Sequence, residues 1–282
     1  MATTFAVPDG RVAMAATLYT GTGTISQAVS NAVNTVSFQP DLVWVKARNA
    51  SAANSLYDSI RGTKKFLASN TTDAEIDFSP YGVTAFGSSG FTVGDISSGF
   101  YYCNGASGGA QSGTPPNYVG WQWKAGGTAV SNTAGTITST VSANTTAGFS
   151  VVTYTGTGAN ATVGHGLGVA PAMIIVKSRS ASATDWRVFA SVLNDNSKWL
   201  ALNTTEAATT ESGYWNTGVT SSVFGLGAYS YINGSGSTYV AYCWAPVAGY
   251  SAFGSYTGNG SADGPFIYTG FRPRFLMIKS SS

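Results

Sequence analysis

Proline followed by a short apolar run and a lysine occurs three times in this chain, and the pattern dictates strands. The copies are Phe38-Gln39-Pro40-Asp41-Leu42-Val43-Trp44-Val45-Lys46-Ala47-Arg48, Val169-Ala170-Pro171-Ala172-Met173-Ile174-Ile175-Val176-Lys177-Ser178-Arg179 and Phe271-Arg272-Pro273-Arg274-Phe275-Leu276-Met277-Ile278-Lys279-Ser280-Ser281. In each, the last four of the five residues after the proline are apolar, and a lysine follows. Proline lacks the N–H that a ladder needs, so it belongs at a strand's first position or edge. The run after it has the length and composition of one buried strand. The lysine marks the return to water. Nothing in the pattern is catalytic.

A second word keeps step with the first. Leu18-Tyr19-Thr20-Gly21-Thr22-Gly23 returns at Thr153-Tyr154-Thr155-Gly156-Thr157-Gly158 and at Ser255-Tyr256-Thr257-Gly258-Asn259-Gly260. The tyrosines are 135 and 102 residues apart and the prolines 131 and 102. Phe66-Leu67-Ala68-Ser69-Asn70-Thr71-Thr72 corresponds to Trp199-Leu200-Ala201-Leu202-Asn203-Thr204-Thr205, and Tyr118-Val119-Gly120-Trp121-Gln122-Trp123 to Tyr239-Val240-Ala241-Tyr242-Cys243-Trp244. Ordered words at near-constant spacing point to duplication. The first copy carries 12 extra residues, expected as an exposed loop within Gly99 to Asn117.

Composition agrees with β structure. Only 9% of residues are charged, too few to solvate helix faces, while 13% are aromatic, enough for a core. Ser26 to Val36 comes nearest to a helical stripe, but its Ser, Asn and Thr content argues against a helix. The expected fold class is all-β, with tandem antiparallel, jelly-roll-like β-sandwiches. The expected divisions are an N-terminal arm (1–17), a first sandwich (18–127), a linker (128–147) with a strand over Gly135 to Val141, a second sandwich (148–250) and the opening of a third (251–282). The third copy stops after its strand word. The expectation is therefore that the natural polypeptide continues, or that a partner chain covers the apolar edge.

Candidate chemistry is sparse. Asp73, Glu75 and Asp77 alternate and would share one strand face, but the turn glycine and distal glutamate of a calcium loop are missing. His165 is the only histidine, and its Gly-rich setting leads into a proline and a strand, so no helix N-terminus faces an anion. Cys103 and Cys243 hold non-equivalent places and read as isolated buried thiols. A glycosidase needs two carboxylates about 5–10 Å apart, and no acidic pair recurs. Tyr101, Tyr102, Trp215, Tyr229 and Tyr231 could stack on sugars, yet aromatics in a sandwich usually fill the core. No catalytic, cofactor-binding or metal-ligating residue is assigned, and no cofactor. A net charge of +2 gives no nucleic-acid footprint, and no apolar stretch reaches membrane-span length.

Several words together resemble a repeated β-sandwich family of marine bacteriophage virion proteins. They are the Tyr-Thr-Gly-Thr-Gly word, residues 38–46, Tyr57-Asp58-Ser59-Ile60-Arg61-Gly62, Phe86-Gly87-Ser88-Ser89-Gly90-Phe91-Thr92-Val93-Gly94, Trp121-Gln122-Trp123-Lys124-Ala125 and Gly166-Leu167-Gly168-Val169-Ala170-Pro171. The second copy departs by placing Asp185 to Leu193 where the first has Tyr57 to Gly62. The resemblance implies a location in the virion, as a tail fibre or similar tail component. It supplies no catalytic residues. The expected partners are other virion proteins, further copies of the chain (a trimer for a fibre) and a host surface glycan. A carbohydrate-binding or adhesin module of a secreted protein is the alternative. A glycan-degrading enzyme has less support.

Overall fold

The computed structural model describes residues 5–94, 102–107 and 113–282. The first sandwich holds β1 (Met14–Thr20), β2 (Gln27–Ser30), β3 (Leu42–Ala47), β4 (Ser55–Asp58), β5 (Lys65–Ala68), β6 (Ile76–Asp77), β7 (Gly82–Gly87), β8 (Gly90–Gly94) and β9 (Asn117–Trp123). They form a six-stranded sheet, β1-β9-β3-β4-β5-β6, and a three-stranded sheet, β2-β8-β7. The second holds β10 (Val130–Asn132), β11 (Ser139–Asn144), β12 (Phe149–Thr155), β13 (Ala161–Gly164), β14 (Met173–Ser178), β15 (Arg187–Ala190), β16 (Lys198–Ala201), β17 (Thr209–Thr210), β18 (Val223–Leu226) and β19 (Thr238–Trp244). Here the large sheet runs β10-β11-β12-β19-β14-β15-β16-β17 and the small one is β13-β18. The fold is all-β and its paired strands are antiparallel. Among the described residues, one turn of α-helix, α1 (Ser230–Asn233), and two short 3-10 turns interrupt it.

The two large sheets correspond strand for strand from β1/β12 to β6/β17. Trp44 of β3 lies opposite Trp121 of β9, and Ile175 of β14 opposite Tyr242 of β19. Pro40 and Pro171 each stand two residues before their strand, where a missing N–H costs no ladder bond.

The unbroken apolar runs arise because β3 and β14 are covered on both faces. Val43 and Val45 pack toward Phe91 and Val93 of the small sheet, in the first sandwich's own core. Ile174 and Val176 likewise meet Phe224 and Leu226. The opposite faces meet each other. Leu42, Trp44 and Leu56 join Ile175, Val188, Tyr242 and Trp244 in one core between the large sheets. The order of layers is small sheet, large sheet, large sheet, small sheet.

The expected linker is part of this stack. β10 and β11 fall within 128–147, and β11 pairs with β12 through Val141 opposite Val152, so the strand expected over 135–141 lies farther along, at 139–144. Alternating buried positions, Ser139 and Val141, outweigh a Ser/Thr-rich composition once β12 offers a free edge. The expected arm is also absorbed: β1 starts at Met14, and Val7 and Ala13 pack with Ala147, Val247 and Tyr250. Ser26 to Val36 is strand β2 followed by a Val33–Val36 bridge.

Residues 252–282 carry no assigned strand. From Phe275 to Lys279 they alternate half-buried with exposed, and Phe275 and Met277 rest on the core between the large sheets.

Candidate functional site

A dense network of polar side chains lies at the seam between the sandwiches. Asp58 ends β4 and Arg61 follows in the turn, both with side chains wholly removed from solvent. All five guanidinium N–H groups of Arg61 are used. Nε donates to Asp58 Oδ2; Nη1 donates to Lys65 O (2.8 Å) and Glu75 Oε2 (2.9 Å); Nη2 donates to Leu56 O (3.1 Å) and to the Tyr242 hydroxyl (3.2 Å). Tyr242 lies in β19 of the other sandwich, and its hydroxyl donates to Asp58 Oδ2 at 2.7 Å. Burial alone would lower the Arg61 pKa, but Asp58, Tyr242 and Glu75 raise it above the usual value, so the cation persists.

Glu75 continues the network across the seam. Arg179, just past β14, grips it in a fork, Nε to Oε2 at 3.0 Å and Nη2 to Oε1 at 2.9 Å, while the Glu75 N–H donates to Arg179 O at 2.8 Å. Burial would raise the Glu75 pKa; the bonds from Arg179 and Arg61 override it and hold the carboxyl below its ordinary value. Lys177, expected to return the chain to water, is instead buried because backbone oxygens meet its charge: Nζ donates to Thr72 O (3.0 Å) of the first sandwich and to Thr184 O (2.6 Å) and Oγ1 (2.9 Å) of its own. Burial pushes its pKa down to about 8, against the pull of Asp185 and Asp73. Trp186 Nε1 donates to Ala68 O at 2.8 Å. The two sandwiches are thus locked by directional bonds around an apolar core. Planar forks of this kind fix register, because a small rotation breaks several bonds together.

The Tyr-Thr-Gly-Thr-Gly word wraps a buried asparagine in both sandwiches. Thr22 N donates to Asn104 Oδ1 at 2.8 Å, and Asn104 Nδ2 to Thr24 O at 2.8 Å. In the second sandwich Thr157 N donates to Asn233 Oδ1 at 2.9 Å, and Asn233 Nδ2 to Ala159 O at 2.6 Å. Tyr19 stacks on Tyr118 and Tyr154 on Tyr239, with ring centroids 5.1 and 5.2 Å apart. A Cβ on Gly21 or Gly156 would stand 2.4 Å from the carbonyl oxygen of Gly105 or Gly234, which is why glycine holds the word's third position. The shared Asn-Gly dipeptide, 104–105 and 233–234, is the sequence signal for these asparagines. It goes unnoticed because the surrounding text differs.

The carboxylates expected on one face separate: Glu75 enters the seam, Asp77 pairs with Lys65 at the surface (2.9 Å), and Asp73 is exposed. His165 is buried, accepting from Leu167 N through Nδ1 (3.2 Å) with Nε2 against Thr220 O (3.1 Å), and burial lowers its pKa. Cys103 and Cys243 form no disulfide and lie in separate cores; Cys103 Sγ donates to the Tyr57 hydroxyl at 3.7 Å, and burial pushes Cys243 up to about 12. Among the described residues no three of His, Cys, Asp and Glu cluster as a metal site. Trp215 is buried, Tyr229 stacks on Tyr214 at 4.8 Å, Tyr231 covers Arg187 and Tyr102 packs on Phe66. Tyr101 lies outside the described residues, as do 99–101 and 108–112 of the expected loop. Of the remainder, Cys103, Asn104 and Gly105 are buried, because Asn104 fills the cradle, while Ala106, Gly113, Pro115 and Asn117 are exposed. Among the described residues, no helix is long and apolar enough to cross a membrane.

The departure of the second sandwich from the Tyr57–Gly62 word now has a cause. The pairing of β14 with β15 places Ala190 and Leu193 where Asp58 and Arg61 stand in the first, and both rest on apolar neighbours instead of a seam tyrosine.

No curated protein matches this sequence, and no solved structure matches it. The pattern of one family runs from residue 12, just before β1, through the second sandwich to residue 282. It treats the two sandwiches and the segment after them as one continuous pattern, in keeping with their common core. The chain belongs to the family described as Domain of unknown function (DUF7483).

Proposed function

We propose that this chain is a non-enzymatic structural component of a bacteriophage virion, a tail fibre or other fibre-like tail component, assembling with other virion proteins. The observation that carries the reading is the seam. Two sandwiches share one apolar core and a fully bonded buried guanidinium, so they form a stiff element with no hinge between its parts. A particle appendage needs that property to hold its far end in place. The motif resemblance supplies the virion location. The candidate sugar-stacking aromatics within the described residues are taken up in packing, so no observation favours the carbohydrate-binding alternative.

Mass spectrometry of purified phage particles, with antibody labelling seen by electron microscopy, tests the reading. Peptides of this chain are expected at structural stoichiometry, and label on the tail. Absence of the chain from particles that carry its gene refutes it.

A further inference from the structure

The strand word at 273–281 repeats, one sandwich further along, the contacts that β14 makes with the first sandwich. In the first seam Glu75 N donates to Arg179 O at 2.8 Å. Alignment of the words makes Ala208 the counterpart of Glu75 and Ser281 that of Arg179, and Ala208 N donates to Ser281 O at 3.2 Å. Lys177 Nζ reaches Thr72 O in the Asn-Thr-Thr loop of the first sandwich; its counterpart Lys279 Nζ reaches Thr204 O, at 2.7 Å, in the same loop of the second. Docking is therefore head-to-tail: a strand end on one sandwich meets a loop on the one before it. An interface of this heterologous kind either runs on as a filament or closes as a ring.

Phe275 decides between them. In an open run the third member would touch only the second. Phe275 instead lies against Trp44, Trp121 and Trp123 of the first sandwich, with ring centroids 6.3, 5.5 and 5.1 Å away, while Lys279 and Ser281 hold the second. A segment that touches both neighbours belongs to a closed set of three.

The faces of the segment agree. Phe275 and Met277 are the counterparts of Met173 and Ile175 and point, as those do, into the common core. Leu276 and Ile278 are the counterparts of Ile174 and Val176, which their own small sheet covers; here they are 69% and 62% exposed. We propose that residues 273–279 are the central strand of a third β-sandwich of this fold, covered on the Leu276–Ile278 face by a small sheet of the same polypeptide, and that three sandwiches close head-to-tail around the shared aromatic core. The ring leaves one docking position on the first sandwich. Lys46 Nζ binds Ala52 O, as Lys177 binds Thr184 O, and Arg48, the counterpart of Arg179, is exposed with no ion pair among the described residues. This end receives the third sandwich's loop, a backbone carbonyl at Lys46 and a carboxylate at Arg48. One polypeptide then builds what a trimeric fibre assembles from three chains.

The test uses the full natural polypeptide with Leu276→Asp and Ile278→Asp together, read by limited proteolysis and sedimentation. A core strand predicts that cleavage after residue 250 becomes at least tenfold faster while the fragment from 14 to 245 stays resistant and the mass in solution is unchanged. Val169→Asp, also at an exposed apolar side chain, serves as the control and leaves cleavage unaltered. Unchanged cleavage in the double variant overturns the proposal, because the two side chains then face water. Conversion of a dimer to a monomer overturns it too, since a second copy then covers them. Arg48→Glu tests closure separately: it should speed cleavage after residue 250 severalfold, and no effect overturns the ring.

Discussion

Replacing Arg61 by methionine keeps most of the side chain's length and removes its charge. Asp58 then loses its buried counter-ion, Leu56 O and Lys65 O lose their donors, and Tyr242 loses a partner across the seam. Both side chains of the Arg61–Asp58 pair are 0% exposed, so water cannot take the vacated positions without opening the core. Breaking a buried pair from one side costs ~3–5 kcal/mol. Against the ~5–15 kcal/mol that holds a domain together, that is a large fraction. The double variant Asp58→Leu, Arg61→Met removes both charges, and its loss should be smaller than that of Arg61→Met alone, because no carboxylate is left stranded. Equilibrium unfolding in urea, which unlike guanidinium leaves ion pairs unscreened, measures both. Fluorescence follows the seam, where Trp44, Trp121, Trp123, Trp186 and Trp244 lie, and far-ultraviolet dichroism follows the sheets. The common core predicts coincident single transitions by the two probes. A loss under ~1 kcal/mol for Arg61→Met, or two separated transitions in the parent protein, would refute the reasoning.

Asn233→Ala strips the cradle of its acceptor for Thr157 N and its donors to Ala159 O and Gly227 O. It should cost at least ~2 kcal/mol and lower the melting temperature by ~4–8 °C, with Asn104→Ala similar in the first sandwich; a shift within 1 °C for both would show that the cradles do not stabilise the fold. Lys177 has a folded pKa lowered to about 8, so between there and its unfolded value near 10.5 the native state has released a proton that the unfolded chain still binds. Lys177 therefore contributes stability that rises from pH 8 to pH 9.5, while the Cys243 thiol, pushed up to about 12, opposes it by ionising only in the unfolded chain. Lys177→Met should thus shift the slope downward over that range; an identical slope in the variant would mean that the native lysine keeps its proton.

Much of the fold was legible because its causes are local. A proline and an apolar run specify a strand within nine residues in the first two copies, though the third copy carries no assigned strand and the expected return to water fails at the buried Lys177, and the scarcity of charge argues against long helices. The unbroken runs at Leu42–Val45 and Met173–Val176 even encode burial on both faces, though not what covers each face. Tertiary structure alone decided that the covering layer is the other sandwich. It also recruited the Ser/Thr-rich stretch around Ser139–Asn144, whose weak strand pattern is stabilised by the free edge of β12. The seam was illegible for a related reason. Arg61 and Tyr242 are 181 residues apart, and no periodicity or spacing links a guanidinium to a hydroxyl brought near it only by the docking of two sheets. Local patterns determine which way a strand's side chains point. What they meet depends on distant chain, and only the packed structure supplies it.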